Sequence, residues 1–104
     1  MHIQIIEFRL RDLDPKAYET MCDQLAPMFA GVAGLRAKIW LADCAGSRFG
    51  GVYVWQDRRA MESFAATDLS RTVAAHPNLA GITSRDFGVL EAPTRITRGA
   101  LFAA

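Results

Sequence analysis

Two shortages narrow what this chain can do: it has few cysteines and almost no net charge. Cys22 and Cys44 are its only thiols. They lack CxxC spacing and a nearby histidine, so no metal site or thioredoxin-like pair is expected. Isolated thiols fit a reducing compartment. The formal net charge of +1 supplies no bulk attraction toward nucleic acid or an anionic membrane. No apolar run approaches the roughly 20 residues of a membrane-crossing helix. His2, Glu7, Arg9 and Arg11 interrupt any secretory apolar segment, and a cytoplasmic location is the expectation. There is no P-loop run and no GxSxG elbow, and Gly50-Gly51 lacks the rest of a dinucleotide fingerprint.

What is present reads as one domain over residues 1–104, with 94–104 as a C-terminal tail. The chain is 51% hydrophobic and 22% charged, as ordinary globular proteins are, and long enough to bury a core without disulfides. His2–Arg9 reads as a strand. Asp14 and Pro15 open a helix as cap and first residue. Its apolar stripe is Tyr18, Met21, Cys22, Leu25 and Met28 or Phe29, and it ends near Ala30 with Pro27 disturbing its last turn. Leu35–Asp43 alternates as a second strand, and a four-residue turn leads into a third, Phe49–Gln56. Gly50-Gly51 inside that strand predicts a bulge or a close backbone approach. Asp57 caps a second helix with Ala60, Met61, Phe64 and Ala65 on its apolar face. Asp68 opens a further helical segment to about Ala75. Ile82–Glu91 is the last strand.

The order β-α-β-β-α-β predicts an α+β ferredoxin-like sandwich, a four-stranded antiparallel sheet with its helices on one face. Yet both faces of the sheet are apolar. Ile3 and Ile5 oppose Ile6 and Phe8, and Val52 and Val54 oppose Tyr53 and Trp55. We expect Tyr53 and Trp55 on the side away from the helices, unless a bulge at Gly50-Gly51 inverts the strand. Each large apolar side chain left exposed forgoes roughly 1.5–3 kcal/mol. An uncovered face of this kind predicts a homodimer, sheet against sheet.

Trp40, Tyr53 and Trp55 fall on neighbouring strands as same-side neighbours, with Lys38 alongside. Such aromatics line either a pocket for a planar organic ligand or a dimer interface. Lys38 or Arg85 could hold an anionic oxygen, and Phe64 could line the pocket from its helix. His76, which titrates near neutrality, could accept a phenolic proton or simply sit at a helix C-terminus. Glu7, Glu62 and Glu91 are weaker candidates for a carboxylate pair, and Arg85 with Asp86 reads as a surface pair. RNA-binding RRM domains share the element order, but the basic and aromatic RNP1 pattern is missing.

The runs Gly34-Leu35-Arg36-Ala37-Lys38-Ile39-Trp40, Gly50-Gly51-Val52-Tyr53-Val54-Trp55 with Asp57, and Phe87-Gly88-Val89-Leu90-Glu91-Ala92-Pro93-Thr94 resemble the YdhR-like monooxygenases. These belong to the dimeric α+β-barrel superfamily. The resemblance implies a homodimeric barrel with a pocket between sheet and helices. It also implies oxygenation of a hydrophobic aromatic molecule, phenol- or quinol-like, with no metal or flavin cofactor. Haem-degrading branches use Asn, Trp and His. Here Glu7 stands on the first strand, and the second helix carries Phe64 and no tryptophan. Stress-response members imply the alternative, a non-catalytic small-molecule-binding dimer.

Overall fold

The computed structural model of the protein describes residues 1–99. Its elements run β1 (His2–Leu10), α1 (Pro15–Ala30), β2 (Leu35–Asp43), β3 (Arg48–Trp55), α2 (Arg58–Ala65), α3 (Asp68–Ala74), β4 (Leu79–Gly88) and α4 (Glu91–Ile96). The strands form one sheet in the order β2-β3-β1-β4, every neighbouring pair antiparallel. This is the ferredoxin-like α+β fold, with α1, α2 and α3 packed on one face of the sheet. No helix among the described residues is long and apolar enough to cross a membrane.

Local chemistry explains the boundaries. Asp14 accepts from the Ala17 N–H at 2.7 Å and Pro15 occupies the first turn of α1. Pro27 removes one backbone donor from that helix without ending it. Asp57 caps α2 through the Ala60 N–H at 2.8 Å. Thr67, one residue before the expected Asp68, caps α3 through the Ser70 N–H. The last strand begins and ends three residues earlier than Ile82–Glu91, because pairing with β1 already starts at Leu79 opposite Leu10. The expected tail is partly helical, since α4 spans Glu91–Ile96, and its residues 100–104 lie outside the described part.

The pairing register decides which side chains meet the helices. His2, Gln4, Ile6 and Phe8 of β1 stand opposite Trp55, Tyr53, Gly51 and Phe49 of β3. Lys38 and Trp40 of β2 stand opposite Tyr53 and Gly51. Side chains alternate along a strand, so this set shares one face. Phe29 of α1 and Phe64 of α2 pack against Tyr53 and Trp55, which makes it the helix face. Tyr53 and Trp55 therefore lie under the helices, and the expectation that they occupy the opposite side is corrected. No bulge causes this. The ladder runs unbroken through Gly50 and Gly51, and the register shifts fall at Glu7/Arg9 and Leu35/Ala37 instead. The other half of the glycine expectation holds: Gly50 has φ +154°, and a Cβ there would collide with the Ile6 carbonyl.

Two aromatic clusters make the core. Phe8, Tyr18, Phe49 and Leu79 form one, and Phe29, Tyr53, Trp55 and Phe64 form the other. Trp55 is fully buried, and its indole N–H donates to the Gln4 Oε1 at 3.0 Å. Its ring stacks on Tyr53 with centroids 5.9 Å apart and planes 10° apart. The opposite face carries Ile3, Ile5, Ile39, Leu41, Val52 and Phe87 by alternation. Val54 on that face is buried within the chain, whereas Ile39 is 41% and Phe87 52% exposed.

Candidate functional site

The most unusual group on the helix face is an amine. Lys38 sits mid-strand on β2, which is an edge strand of the sheet. Its Nζ lies 3.5 Å from the ring centroid of Phe29, 3.5 Å from that of Trp40 and 4.6 Å from that of Tyr53. Phe29 and Trp40 meet edge to face, with centroids 5.4 Å apart and an interplanar angle of 86°. Gly51 of the adjacent strand leaves room for the lysine stem, since a Cβ there would stand 3.0 Å from Lys38 Cε. No carboxylate pairs with Lys38 among the described residues.

Two opposing forces act on this amine. The ring faces attract a cation, while burial penalises it. Burial pulls the Lys38 amine down from its ordinary 10.5 to about 7, opposed only weakly by the nearby Cys22 thiol. The hydroxyls of Tyr53 and Tyr18 are pushed above their ordinary range, chiefly by burial. Burial also raises the Cys22 thiol, although its hydrogen bond with Tyr18 works the other way. The groups facing the amine are therefore neutral at physiological pH.

A groove of about 640 Å³ runs between α1 and β2, walled by Tyr18, Cys22, Ala26, Trp40, Leu41 and Cys44. That volume falls within the range of small-molecule sites. An inner space of about 30 Å³ touches Lys38, Phe29, Tyr53 and Gly51, room for about one water. Tyr18, Cys22 and Trp40 wall both spaces.

The structure thus brings together Lys38, Trp40 and Tyr53, with Trp55 and Phe64 behind them in the same cluster. The same-side grouping holds, but as part of the interior, so these aromatics are not a sheet-to-sheet interface. His76 lies in the turn after α3, where its Nδ1 accepts from the Asn78 N–H at 3.1 Å. It lines neither the groove nor the inner space. Arg85 is exposed and, opposite Ile5, points to the uncovered face. Its neighbour Asp86 turns the other way and pairs with His2 Nε2 at 2.7 Å, so the expected Arg85–Asp86 pair does not form. The three glutamates do not converge. Glu7 binds Arg48, Glu62 binds Arg58, and Glu91 binds the N-terminus. Among the described residues no cluster of metal-ligating side chains occurs.

Sequence reading missed Phe29, Gly51, Cys22 and Tyr18 as site residues. The helical stripe flagged three of them as core, and nothing local says that a core stripe faces a lysine.

An amine boxed by aromatic rings, on an inner space behind the α1–β2 groove of a ferredoxin-like sheet, defines a small α+β protein with a candidate site between sheet and helices. The sequence matches, over residues 3–100, the model of the family described as "Putative mono-oxygenase ydhR". The chain belongs to that family. Its fold is similar to that of a "putative antibiotic biosynthesis monooxygenase" from Deinococcus radiodurans. The TM-score is 0.73 at 16% identity, over 88% of this chain and 95% of that one. It is similar to SnoaB, a cofactor-independent oxygenase from Streptomyces nogalater, at TM-score 0.69 and 16% identity, over 88% and 94% of the two chains. The haem-degrader MhuD from Mycobacterium tuberculosis gives 0.70 at 18%, over 86% and 96%. No curated protein matches significantly.

Proposed function

We propose that this protein is a cofactor-independent monooxygenase of a small hydrophobic aromatic molecule, phenol- or quinol-like, bound in the groove between α1 and β2. The observation that carries this reading is the Lys38 amine, paired with no carboxylate among the described residues and held among Phe29, Trp40 and Tyr53 on an inner space that shares Tyr18, Cys22 and Trp40 with the groove. Family membership and a fold shared with a cofactor-independent oxygenase support it.

Such an oxygenation needs the substrate to supply the electrons, which a neutral phenol does poorly and its anion does well. A neutral Lys38 accepts the phenolic proton and becomes the ammonium partner of the phenolate formed. One residue then acts as both base and counter-ion. Dioxygen oxidises a ring-flanked CH2 to C=O. One oxygen atom enters the product and the other leaves as water. Trp40 and Tyr53 orient the ring, while Trp55 and Phe64 stiffen the wall behind them. In this reading proton acceptance belongs to Lys38 rather than His76, and Arg85 has no part at the substrate.

The protein acts as a cytoplasmic homodimer in this reading, with the uncovered faces of two chains packed together. The exposed Ile39 and Phe87 support that arrangement.

Oxygen uptake by purified protein with an anthrone- or quinol-type compound tests the function. Uptake is expected, and it should fall about a hundredfold or more in Lys38→Met. Tight binding with no uptake would overturn the enzymatic reading in favour of a carrier or stress-response module.

A further inference from the structure

Only Lys16 and Lys38 carry side-chain amines in this chain; both border the α1–β2 region, Lys16 on the lining of the groove and Lys38 on the inner space behind it, and they differ in their surroundings. Lys16 is exposed at the start of α1. Lys38 is boxed by three rings and paired with no carboxylate among the described residues. An arginine would keep its charge in such a place, whereas a lysine can give up its proton and expose a nucleophilic lone pair. The titratable groups facing it are the Cys22 thiol and Tyr18 hydroxyl from α1 and the Tyr53 hydroxyl from β3. All three are held toward their neutral forms; Glu19 and Asp23 of α1 line the groove, and neither forms an ion pair with Lys38 among the described residues.

We propose that Lys38 is a nucleophilic amine that captures hydrophobic aldehydes or ketones entering through the α1–β2 groove, as an imine on Nζ. The Nζ lone pair adds to the carbonyl carbon. The carbonyl oxygen then departs as water with both amine hydrogens, leaving a C=N bond. Nothing is oxidised or reduced, and no co-reactant is needed. The walls select the carbonyl class: Trp40, Tyr18 and Ala26 favour an aryl or alkyl aldehyde over a sugar, and the carboxylates Glu19 and Asp23 on the same lining disfavour a keto acid. Condensation releases water into an apolar space, where the reverse reaction is held back. The proposal goes beyond the oxygenase reading, because capture requires neither dioxygen nor turnover.

The test uses the whole protein at pH 7 with benzaldehyde and cyanoborohydride, which reduces an imine to a stable secondary amine. Peptide mapping by mass spectrometry then compares Lys38 with Lys16. We expect Lys38 to be labelled at least about tenfold faster in the native protein, and the preference to disappear in urea. Lys38→Arg should lose that label while leaving Lys16 labelling unchanged. Equal labelling of the two lysines in native protein, or a preference that survives unfolding, would overturn the proposal. Native and unfolded wild-type protein suffice for this comparison, so a variant that fails to fold does not remove the test. Oxygen uptake without Lys38 labelling would keep the oxygenase and dismiss the imine, and labelling without uptake would do the reverse.

Discussion

Gly51 and Lys38 are fitted to each other across two strands: a Cβ at Gly51 would stand 3.0 Å from Lys38 Cε, and 3.4 Å from both the Ile39 carbonyl oxygen and Tyr53 Cε1. The lysine stem occupies the space that the missing side chain leaves. In Gly51→Ala the flexible stem yields before the sheet does. Stability should change by less than about 1 kcal/mol, because the smaller backbone entropy of the unfolded chain offsets the crowding. The amine, however, should move toward water and titrate higher. Urea unfolding and pH-dependent reductive labelling of Lys38 separate the two effects. A large stability loss with unchanged labelling would contradict the fit.

Lys38 should make stability rise with pH. Its amine is held at about 7 in the folded chain against 10.5 ordinarily. Between these values the unfolded chain binds the extra proton, so unfolding becomes harder as pH increases. Below about 7 both states are protonated and the effect vanishes. The raised Cys22, Tyr18 and Tyr53 oppose the slope once their unfolded forms ionise, from about pH 9 upward. The clean window is therefore pH 7 to 9, where about 1–3 kcal/mol should accrue. Lys38→Met should be flat across that window and more stable at pH 7, as a partly desolvated ammonium is replaced by a thioether. Urea midpoints at several pH values decide it.

Trp55 is the core residue most sensitive to truncation. Trp55→Ala removes a fully buried indole and should cost about 3–5 kcal/mol. That is a large share of a small domain's margin of about 5–15 kcal/mol. Trp55→Phe keeps the stacking on Tyr53 but leaves Gln4 Oε1 without its indole donor, for about 1–2 kcal/mol. Chemical denaturation with far-ultraviolet circular dichroism measures both.

His76→Ala and Arg85→Ala should leave substrate oxygenation within about twofold of wild type, since neither side chain lines the groove. A drop of a hundredfold in either would return the catalytic role to the residue lost. Steady-state oxygen consumption gives the answer.

Ile39→Asp and Phe87→Asp should yield a folded chain of half the wild-type mass by light scattering, because each places a carboxylate in the apolar contact between two copies. A wild-type protein already monomeric at low micromolar concentration would contradict the dimer.

The element order, the antiparallel sheet and the caps Asp14 and Asp57 were legible because each rests on local chemistry: alternation, helical stripes and side-chain caps. Which face holds Tyr53 and Trp55 was not. Both faces of β1 and β3 are apolar, so alternation names two sets without saying which one the helices cover. Phe29 and Phe64, far away in sequence, decide it by stacking against the aromatic set. The site suffered the same gap. Lys38 beside Trp40 was readable from strand spacing. Its enclosure by Phe29 and the lack of a carboxylate partner among the described residues depend on where α1 crosses the sheet, as does the separation of His76 and Arg85 from the groove.

Phe29, whose ring caps the Lys38 amine, sits in the last turn of α1, two residues past Pro27, where one rung of the helical ladder is already absent. Hydration of the amine is thereby linked to fraying of a helix end. Amide exchange at Phe29 and Ala30 and the proton affinity of a side chain on a different strand should rise and fall together.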